Sequence, residues 1–231
     1  MKDDLVTYAN KVPQLAHGGR SIQEDLIDAA YRVESGDCII DLGSYLGSSV
    51  LFEAVGIGIS KSDVKIYAYD RWKLDDGMNR KAKNHLGKFY KDGTDFKWAF
   101  LEKIKPVKHL VVPVQAHVLD ISWEGGKIGL YVDDIGVGKM RVDHLMKTFS
   151  PYFIPGKTIL FICDYYNYEK SPRTKEHSFY QSKFFNKNDK VFKFIKRVKG
   201  SITAMFLYLG CEIDYNVEGE SYIGDKKRQG I

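Results

Sequence analysis

The fold can be predicted from one stretch of the chain, Cys38-Ile39-Ile40-Asp41-Leu42-Gly43-Ser44-Tyr45-Leu46-Gly47-Ser48-Ser49. Its first four residues form a short apolar run that ends in a carboxylate, as buried parallel strands do. Two glycines four residues apart follow, and from Ser48 the chain has the apolar spacing of a helix. A strand, a glycine turn and a helix N-terminus form a cradle in which the backbone comes close to a ligand and free N–H groups attract a negative group.

This glycine loop resembles the first motif of class I S-adenosylmethionine (SAM) dependent methyltransferases. Dinucleotide-binding enzymes carry Gly-x-Gly-x-x-Gly, whereas this loop, residues 43–49, has only two glycines. It is most similar to the branch of macrocin-type and other sugar O-methyltransferases, in which an acid-x-Gly-x-x-x-Gly-x-Ser loop is usual. For the loop taken alone, a glycine turn that serves only helix–strand packing is the alternative interpretation.

Three further landmarks have the order that this family shows. They are Asp70 after an alternating strand, Asp133 after an apolar strand, and Pro155-Gly156 before a strand that ends in Asp164. The resemblance spans about residues 21–210. It implies an α/β, Rossmann-like fold with a seven-stranded, mostly parallel sheet, helices on both faces and a C-terminal antiparallel hairpin.

The remaining segments are expected to lie around this domain. Residues 1–20 contain a proline and a glycine pair, which favours a cap or lid followed by a loop. The stretch 165–190 is a basic and aromatic insert within the domain 21–210. The tail 211–231 is polar and glycine-containing, and we expect it to be loosely held.

Composition limits the class of protein. The chain has 231 residues, 44% of them hydrophobic and 28% charged, which is typical of a globular domain. It contains no apolar stretch of the ~20 residues that a membrane span requires, and its start lacks a signal-peptide pattern. Three cysteines cannot all pair, and two lie in predicted core strands. Reduced thiols and a cytoplasmic location are therefore expected, with no membrane partner.

The positive charge is concentrated in the C-terminal part of the chain. Residues 1–165 hold 22 basic and 22 acidic residues, whereas residues 166–231 hold 13 and 8, which accounts for the net charge of +5. The basic region 170–199 could track phosphates or be a solvated face. Its aromatic residues could stack on a flat acceptor or could face the core from an amphipathic helix, and the sequence leaves both alternatives open.

The resemblance assigns the cofactor-binding residues. Asp70 ends the strand after the glycine loop, where one carboxylate can accept hydrogen bonds from both ribose hydroxyls. Residues 115–117 occupy the place where the family reads the adenine. The predicted SAM-binding set is Asp41, Gly43, Ser44, Tyr45, Gly47, Ser48, Asp70, Trp72, Gln115, Ala116, His117 and Asp133.

Three residues are predicted to act in catalysis, since Asp133, Asp134 or His144 could take the proton of an acceptor hydroxyl. A divalent cation such as Mg²⁺ could be bound by Asp133 and Asp164. Cys163 stands where metal-dependent members carry an acid, so Mg²⁺ would have fewer oxygen ligands than it prefers. The sequence therefore counts against metal dependence, although Asp134 or Asn167 could complete the ligand set.

The predicted function is SAM-dependent methyl transfer (EC 2.1.1 type) to a hydroxyl oxygen of a small molecule or sugar. The alternatives are a nucleic-acid methyltransferase that uses residues 170–199, a non-catalytic SAM-binding protein of the same fold, and a nicotinamide-dependent oxidoreductase. The last would require the third glycine that the loop lacks. A homo-oligomer is compatible with the sequence.

Overall fold

One twisted sheet organises the chain. The computed structural model describes residues 2–13, 19–74, 83–169 and 175–219. The strands are β1 Cys38–Leu42, β2 Lys65–Asp70, β3 Val111–Gln115, β4 Ile128–Asp133, β5 Ile159–Ile162, β6 Phe192–Arg197 and β7 Ala204–Tyr208. Their order is β3-β2-β1-β4-β5-β7-β6. Strands β1 to β5 are parallel to one another, whereas β7 is antiparallel to both of its neighbours, β5 and β6. The predicted fold class is confirmed.

Helices cover both faces of this sheet. They are α1 Lys2–Ala9, α2 Gly19–Tyr31, α3 Ser48–Ser60, α4 Lys97–Lys103, α5 Lys139–Phe149 and α6 Lys175–Lys187. Successive side chains of a strand point to opposite faces, and on β1 Ile39 packs in one hydrophobic cluster and Ile40 in the other. The cluster around Ile39 includes residues of α1 to α4, and the cluster around Ile40 includes residues of α5 and α6. Both faces of β1 are therefore buried, which explains its continuous apolar sequence.

Two turn signals in the sequence lie where the sheet requires them. Pro113 cannot donate a ladder hydrogen bond, and it lies on β3, at the edge of the sheet. Gly156, in the turn before β5, has φ +73°, a left-handed conformation that glycine adopts readily.

The aromatic residues of the basic insert face the core. Tyr180, Phe184 and Phe185 on α6 are at most 2% exposed, and the two phenylalanines pack against Phe192 of β6 and Phe206 of β7. Of the two alternatives for these aromatics, the core-facing helix is the one observed. The side chains of 170–179 lie outside the described residues.

The beginning of the polar tail is held in place, contrary to expectation. Asp214 exchanges two hydrogen bonds with Asn188, which lies just after α6, and its carboxylate pairs with Lys187 at 3.0 Å. Lys139 of α5 donates to the carbonyl oxygens of Tyr215 and Val217. Polar composition suggested a loose segment, but these backbone groups have partners on α5 and beside α6.

The described cysteines are all free, with Cys38 and Cys163 buried and Cys211 exposed. None of the helices in the described part of the chain combines the length and the apolar character that a bilayer crossing requires.

Candidate functional site

A pocket opens at the carboxyl ends of β1 and β4, beside the N-terminus of α3. Its empty volume, including open solvent at the mouth, is about 590 Å³. The wall is formed by Pro13, Ile22, Gln23, Leu26, Asp41, Leu42, Gly43, Ser44, Tyr45, Leu46, Ser48, Ser49, Phe52, Val132, Asp134 and Cys163. The carboxyl edge of a parallel sheet is where open α/β folds bind their ligands.

The glycine loop takes its shape from three residues with positive φ. Gly43, Tyr45 and Gly47 have φ of +89°, +44° and +85°. A Cβ on Gly43 would lie 2.9 Å from Cγ2 of Ile135, and one on Gly47 would lie 2.6 Å from Cγ2 of Ile104. Both glycines are therefore required by close packing as well as by conformation.

Two buried carboxyl groups lie behind this loop. Asp41 lines the pocket and is 1% exposed, and Ser44 donates a hydrogen bond to its Oδ1. Glu53, on α3, is 0% exposed and interacts with Asp41. Burial raises the pKa of both groups, and the hydrogen bond from Ser44 opposes this rise for Asp41. Neither Glu53 nor Ser49 was predicted as a site residue.

Asp70 lies beside the glycine loop, at the end of β2. Its Oδ2 accepts a hydrogen bond from the backbone N–H of Tyr45 at 3.0 Å, and its Oδ1 accepts one from the N–H of Trp72 at 2.6 Å. Burial raises the pKa of Asp70, and these two amide hydrogen bonds oppose the rise. Asp70 does not belong to the pocket wall, but it is held against the loop that forms the wall.

The other residues predicted to contact the cofactor surround Asp70. The side chain of Gln115 donates to the carbonyl of Arg71, and the N–H of Ala116 donates to the carbonyl of Asp70. His117 accepts a hydrogen bond from the N–H of Leu119 and thereby caps a short 3₁₀ helix, Val118–Asp120. All three lie at the end of β3, outside the pocket wall.

Trp72 lies beneath the glycine loop. It is 0% exposed, and its Nε1 donates to the carbonyl of Tyr45 at 2.9 Å. The structure therefore places Trp72 as a support of the loop, outside the pocket wall.

The two acids after β4 have different surroundings. The oxygens of Asp133 accept hydrogen bonds from the N–H groups of Ile135 and Gly136 and from the hydroxyl of Tyr131. Asp134 is half-buried and lines the pocket. Burial raises its pKa well above the usual range, and the charges of Asp164 and Asp133 raise it further. Asp134, and not Asp133, is the acid of this pair that lines the pocket.

The last predicted catalytic residue lies away from the pocket. His144 is on α5, and its Nε2 is 3.0 Å from the carbonyl oxygen of Ile121, within hydrogen-bonding distance. It does not belong to the pocket wall.

The residues predicted to hold a cation do not form a metal site. Cys163 lines the pocket and Asp164 follows it in a left-handed conformation, φ +57°. Within the described ranges, no group of three or more His, Cys, Asp or Glu side chains is arranged to hold a metal ion. The carboxylate oxygens of Asp133 already accept hydrogen bonds from Tyr131, Ile135 and Gly136. The oxygen ligands that remain among the described residues are too few for Mg²⁺, which prefers six.

The ionisable carboxyl groups of the pocket wall are not balanced by basic side chains among the described residues. Its described wall contains the carboxyl groups of Asp41 and Asp134 and no lysine, arginine or histidine. Asp70 and Asp164 add to the negative potential at Asp134. Such a site favours a cationic ligand and disfavours a pyrophosphate.

Comparisons with known proteins agree on the fold. No protein-family model matches the chain, and no curated protein matches it by sequence. Among solved structures, it is similar to the O-methyltransferase NovP, with a TM-score of 0.60 and 12% identity over 83% of this chain and 81% of NovP. It is also similar to the S-adenosylhomocysteine (SAH) bound Podospora anserina methyltransferase PaMTH1, with a TM-score of 0.58 and 13% identity over 90% of this chain and 88% of that one. A proposed rRNA methylase from Clostridium thermocellum gives a TM-score of 0.54 and 12% identity, with 83% and 97% covered. At this identity the likeness establishes the methyltransferase-type fold.

Proposed function

We propose that the chain is a SAM-dependent methyltransferase (EC 2.1.1 type) that methylates a hydroxyl oxygen of a small molecule or sugar. The proposal depends mainly on one observation, a pocket at the glycine loop whose described wall has two carboxyl groups and no basic side chain. SAM carries an ammonium and a sulfonium charge, which these carboxyl groups would stabilise. NAD carries a pyrophosphate and would be repelled.

The residues around the pocket fit the parts of SAM. Asp41 would bind the ammonium group, and the start of α3 at Ser48 would attract the carboxylate, because helix N-termini bind anions. Asp70 uses one lone pair of each oxygen for an amide, and the second lone pairs would accept the ribose hydroxyls. Gln115, Ala116 and His117 would contact the adenine from the end of β3.

The buried oxygens support this fit. Oδ2 of Asp41 and Oγ of Ser48 are buried and have no hydrogen-bond partner among the described residues. Buried polar atoms are nearly always paired, so Oγ of Ser48 is suited to a polar ligand, and Oδ2 of Asp41, with two lone pairs, can accept from a ligand as well as from a protein donor.

Asp134 is the best candidate for the proton acceptor. When bound, SAM supplies the methyl group. Asp134 lines the pocket, where it would orient the acceptor hydroxyl and take its proton. Asp133 and His144 are engaged elsewhere, which leaves them positioning roles. Much of the rate would come from holding the acceptor in line.

A nucleic-acid methyltransferase is the second candidate, since one similar structure is a proposed rRNA methylase. The ion pairs of the basic region weigh against it. Lys187 pairs with Asp214, Lys196 with Asp25, and Arg197 with Glu169, at 3.0, 2.6 and 2.9 Å. An RNA-binding surface would give an affinity that falls steeply with salt, and we expect no such dependence for a generic structured RNA.

The test is a thermal-shift and calorimetric titration with SAM, SAH, NAD and Mg²⁺. We expect stabilisation by SAM and SAH, reaching about 2.7 kcal/mol at 100 times Kd, and none by NAD. The effect should disappear in Gly43→Val and weaken about tenfold in affinity in Asp70→Ala, which loses charged hydrogen bonds. Glu124→Gln, a substitution of an exposed residue, serves as the control.

Binding of NAD, or no response to SAM, would contradict the proposal. Binding of SAM without turnover on a panel of hydroxyl acceptors would indicate the non-catalytic alternative.

A further inference from the structure

Glu53 is an ionisable residue that the proposed reaction does not use. It lies on α3 within the apolar run Val50–Ile57 and is 0% exposed. Both of its carboxyl oxygens are buried, and no described residue donates a hydrogen bond to them. An ionised and unpaired carboxylate in such a place would be strongly destabilising.

Its neighbour Asp41 also has a buried carboxylate oxygen that lacks a hydrogen-bond donor among the described residues. Oδ1 of Asp41 accepts from Ser44, whereas Oδ2 is buried and has no donor among the described groups. If both carboxyl groups were ionised, three buried oxygens would lack a donor and two like charges would repel. One proton between the groups removes the repulsion and supplies a donor for the free oxygen of Asp41, because a protonated carboxyl is a donor, and the remaining oxygen of Glu53 is then uncharged.

The surroundings indicate which group holds that proton. Burial and the charge of Asp41 raise the pKa of Glu53 well above its usual range. Asp41 instead receives a hydrogen bond from Ser44, which favours its ionised form. The proton therefore belongs on Glu53 and the negative charge on Asp41.

We infer that Glu53 is a positioning residue, which is protonated and donates a hydrogen bond to Asp41, so that Asp41 presents one oriented negative charge to the pocket. The ionisable groups nearest the pair from other strands are Asp134 on β4, Asp70 on β2 and the Cys163 thiol after β5. None of these groups carries a positive charge, and no basic group of the described residues acts on Asp41, so a cationic ligand would suit this charge.

This inference rests on the proposed function for the identity of that cation, the ammonium group of SAM. If Glu53 were ionised, the pair would carry two negative charges, and Glu53 could not donate the hydrogen bond that orients the carboxylate of Asp41. An apolar residue at 53 would leave one charge but no hydrogen bond to orient it. The protonated carboxyl gives one charge and one orientation, which matches a single ammonium group.

The protonation is tested without any ligand, by infrared spectroscopy of the protein at pH 7.5. We expect the carbonyl stretch of protonated carboxyl groups to lose intensity in Glu53→Gln compared with the wild type. The matched control Glu124→Gln removes an exposed glutamate and should leave the band unchanged. An identical band in wild type and Glu53→Gln would overturn the inference.

The positioning is tested by SAM titration. Glu53→Gln keeps an N–H donor and should bind SAM within about threefold of the wild type, whereas Glu53→Leu should bind about tenfold more weakly or worse, because Asp41 loses a charged hydrogen bond. Circular dichroism and urea unfolding check that each variant is folded. Equal affinity of Glu53→Leu and wild type, or equal losses in both variants, would overturn the inference. A wild type that shows the infrared difference but binds no SAM would contradict the proposed function alone.

Discussion

The indole N–H of Trp72 donates to the backbone carbonyl of Tyr45 at 2.9 Å. This contact joins the segment after β2 to the glycine loop after β1. Both residues have positive φ, +43° for Trp72 and +44° for Tyr45, and Asp70 accepts from the N–H groups of both. The two loops are therefore one hydrogen-bonded unit, in which a change at position 72 should reach the pocket wall.

Trp72→Phe is expected to lower the free energy of unfolding by about 1–3 kcal/mol, because a buried carbonyl loses its donor and a large side chain is replaced by a smaller one. Urea denaturation measures the loss. Trp98 is 51% exposed, and Trp98→Phe should change stability by no more than about 0.5 kcal/mol. Similar losses in both variants would show that the hydrogen bond to Tyr45 contributes little.

Alanine at two glycine positions of α3 should change the free energy of unfolding in opposite directions. A Cβ on Gly56 would lie 2.5 Å from the carbonyl oxygen of Ile27 and 2.7 Å from Cβ of Ala30, so α2 and α3 would have to separate. Gly56→Ala is expected to destabilise by about 1–3 kcal/mol. A Cβ on Gly58 meets nothing within 4 Å, and Gly58→Ala should stabilise by about 0.5–1 kcal/mol. Thermal and chemical denaturation of the pair measure both effects, and equal signs would contradict the packing of α2 against α3.

Asp133 should make stability depend on pH. Burial raises its pKa from 3.8 to about 6, despite opposing amide hydrogen bonds. The folded protein thus holds the proton more tightly than the unfolded chain. This contribution to stability is fully present below about pH 4 and is lost as the pH rises through 6.

The variant Asp133→Asn does not titrate at this position, so it isolates the contribution. Between pH 4 and pH 7 the wild type should lose roughly 3 kcal/mol relative to Asp133→Asn, since one pKa unit corresponds to about 1.4 kcal/mol. Urea unfolding of both proteins across this range gives the difference. A difference that does not change with pH would contradict the buried, raised carboxyl.

The three thiols should react at different rates. Cys211 is exposed, whereas Cys38 and Cys163 are buried. Burial raises the pKa of Cys38 to about 12 and that of Cys163 well above the usual range, and only thiolates react rapidly. We expect one thiol to react with an aromatic disulfide reagent in the native protein and all three in urea. Loss of the fast phase in Cys211→Ser would confirm the assignment, and a fast phase that persists in this variant would refute it.

The sheet could be predicted from sequence because each parallel strand is a short apolar run that can be recognised from its own residues. A buried strand such as Cys38–Leu42 is apolar on both faces, and its carboxyl end at Asp41 meets the glycine loop. Pro113 indicated an edge strand for the same local reason, a missing N–H. Such signals reflect backbone conformation and burial, and both can be inferred from a short stretch of sequence.

The side-chain geometry of the site could not be predicted in this way. Asp133 and Asp134 follow the same strand, and only the turn after β4 decides that the amides of Ile135 and Gly136 bind the first. Trp72 was predicted to contact the cofactor, yet its support of Tyr45 depends on how two loops pack. Glu53 carried a signal that sequence reasoning passed over, a lone acid within an apolar helical run.

The position of β7 has a consequence for synthesis of the protein. Ala204–Tyr208 inserts between β5 and β6, so β5 acquires its second neighbour only after residues 204–208 have left the ribosome. Until then a nascent chain exposes the unpaired edge of Ile159–Ile162, which invites pairing with other polypeptides. Translation products that stop before residue 204 should therefore accumulate as insoluble material or be degraded, whereas chains that end after residue 219 should remain soluble.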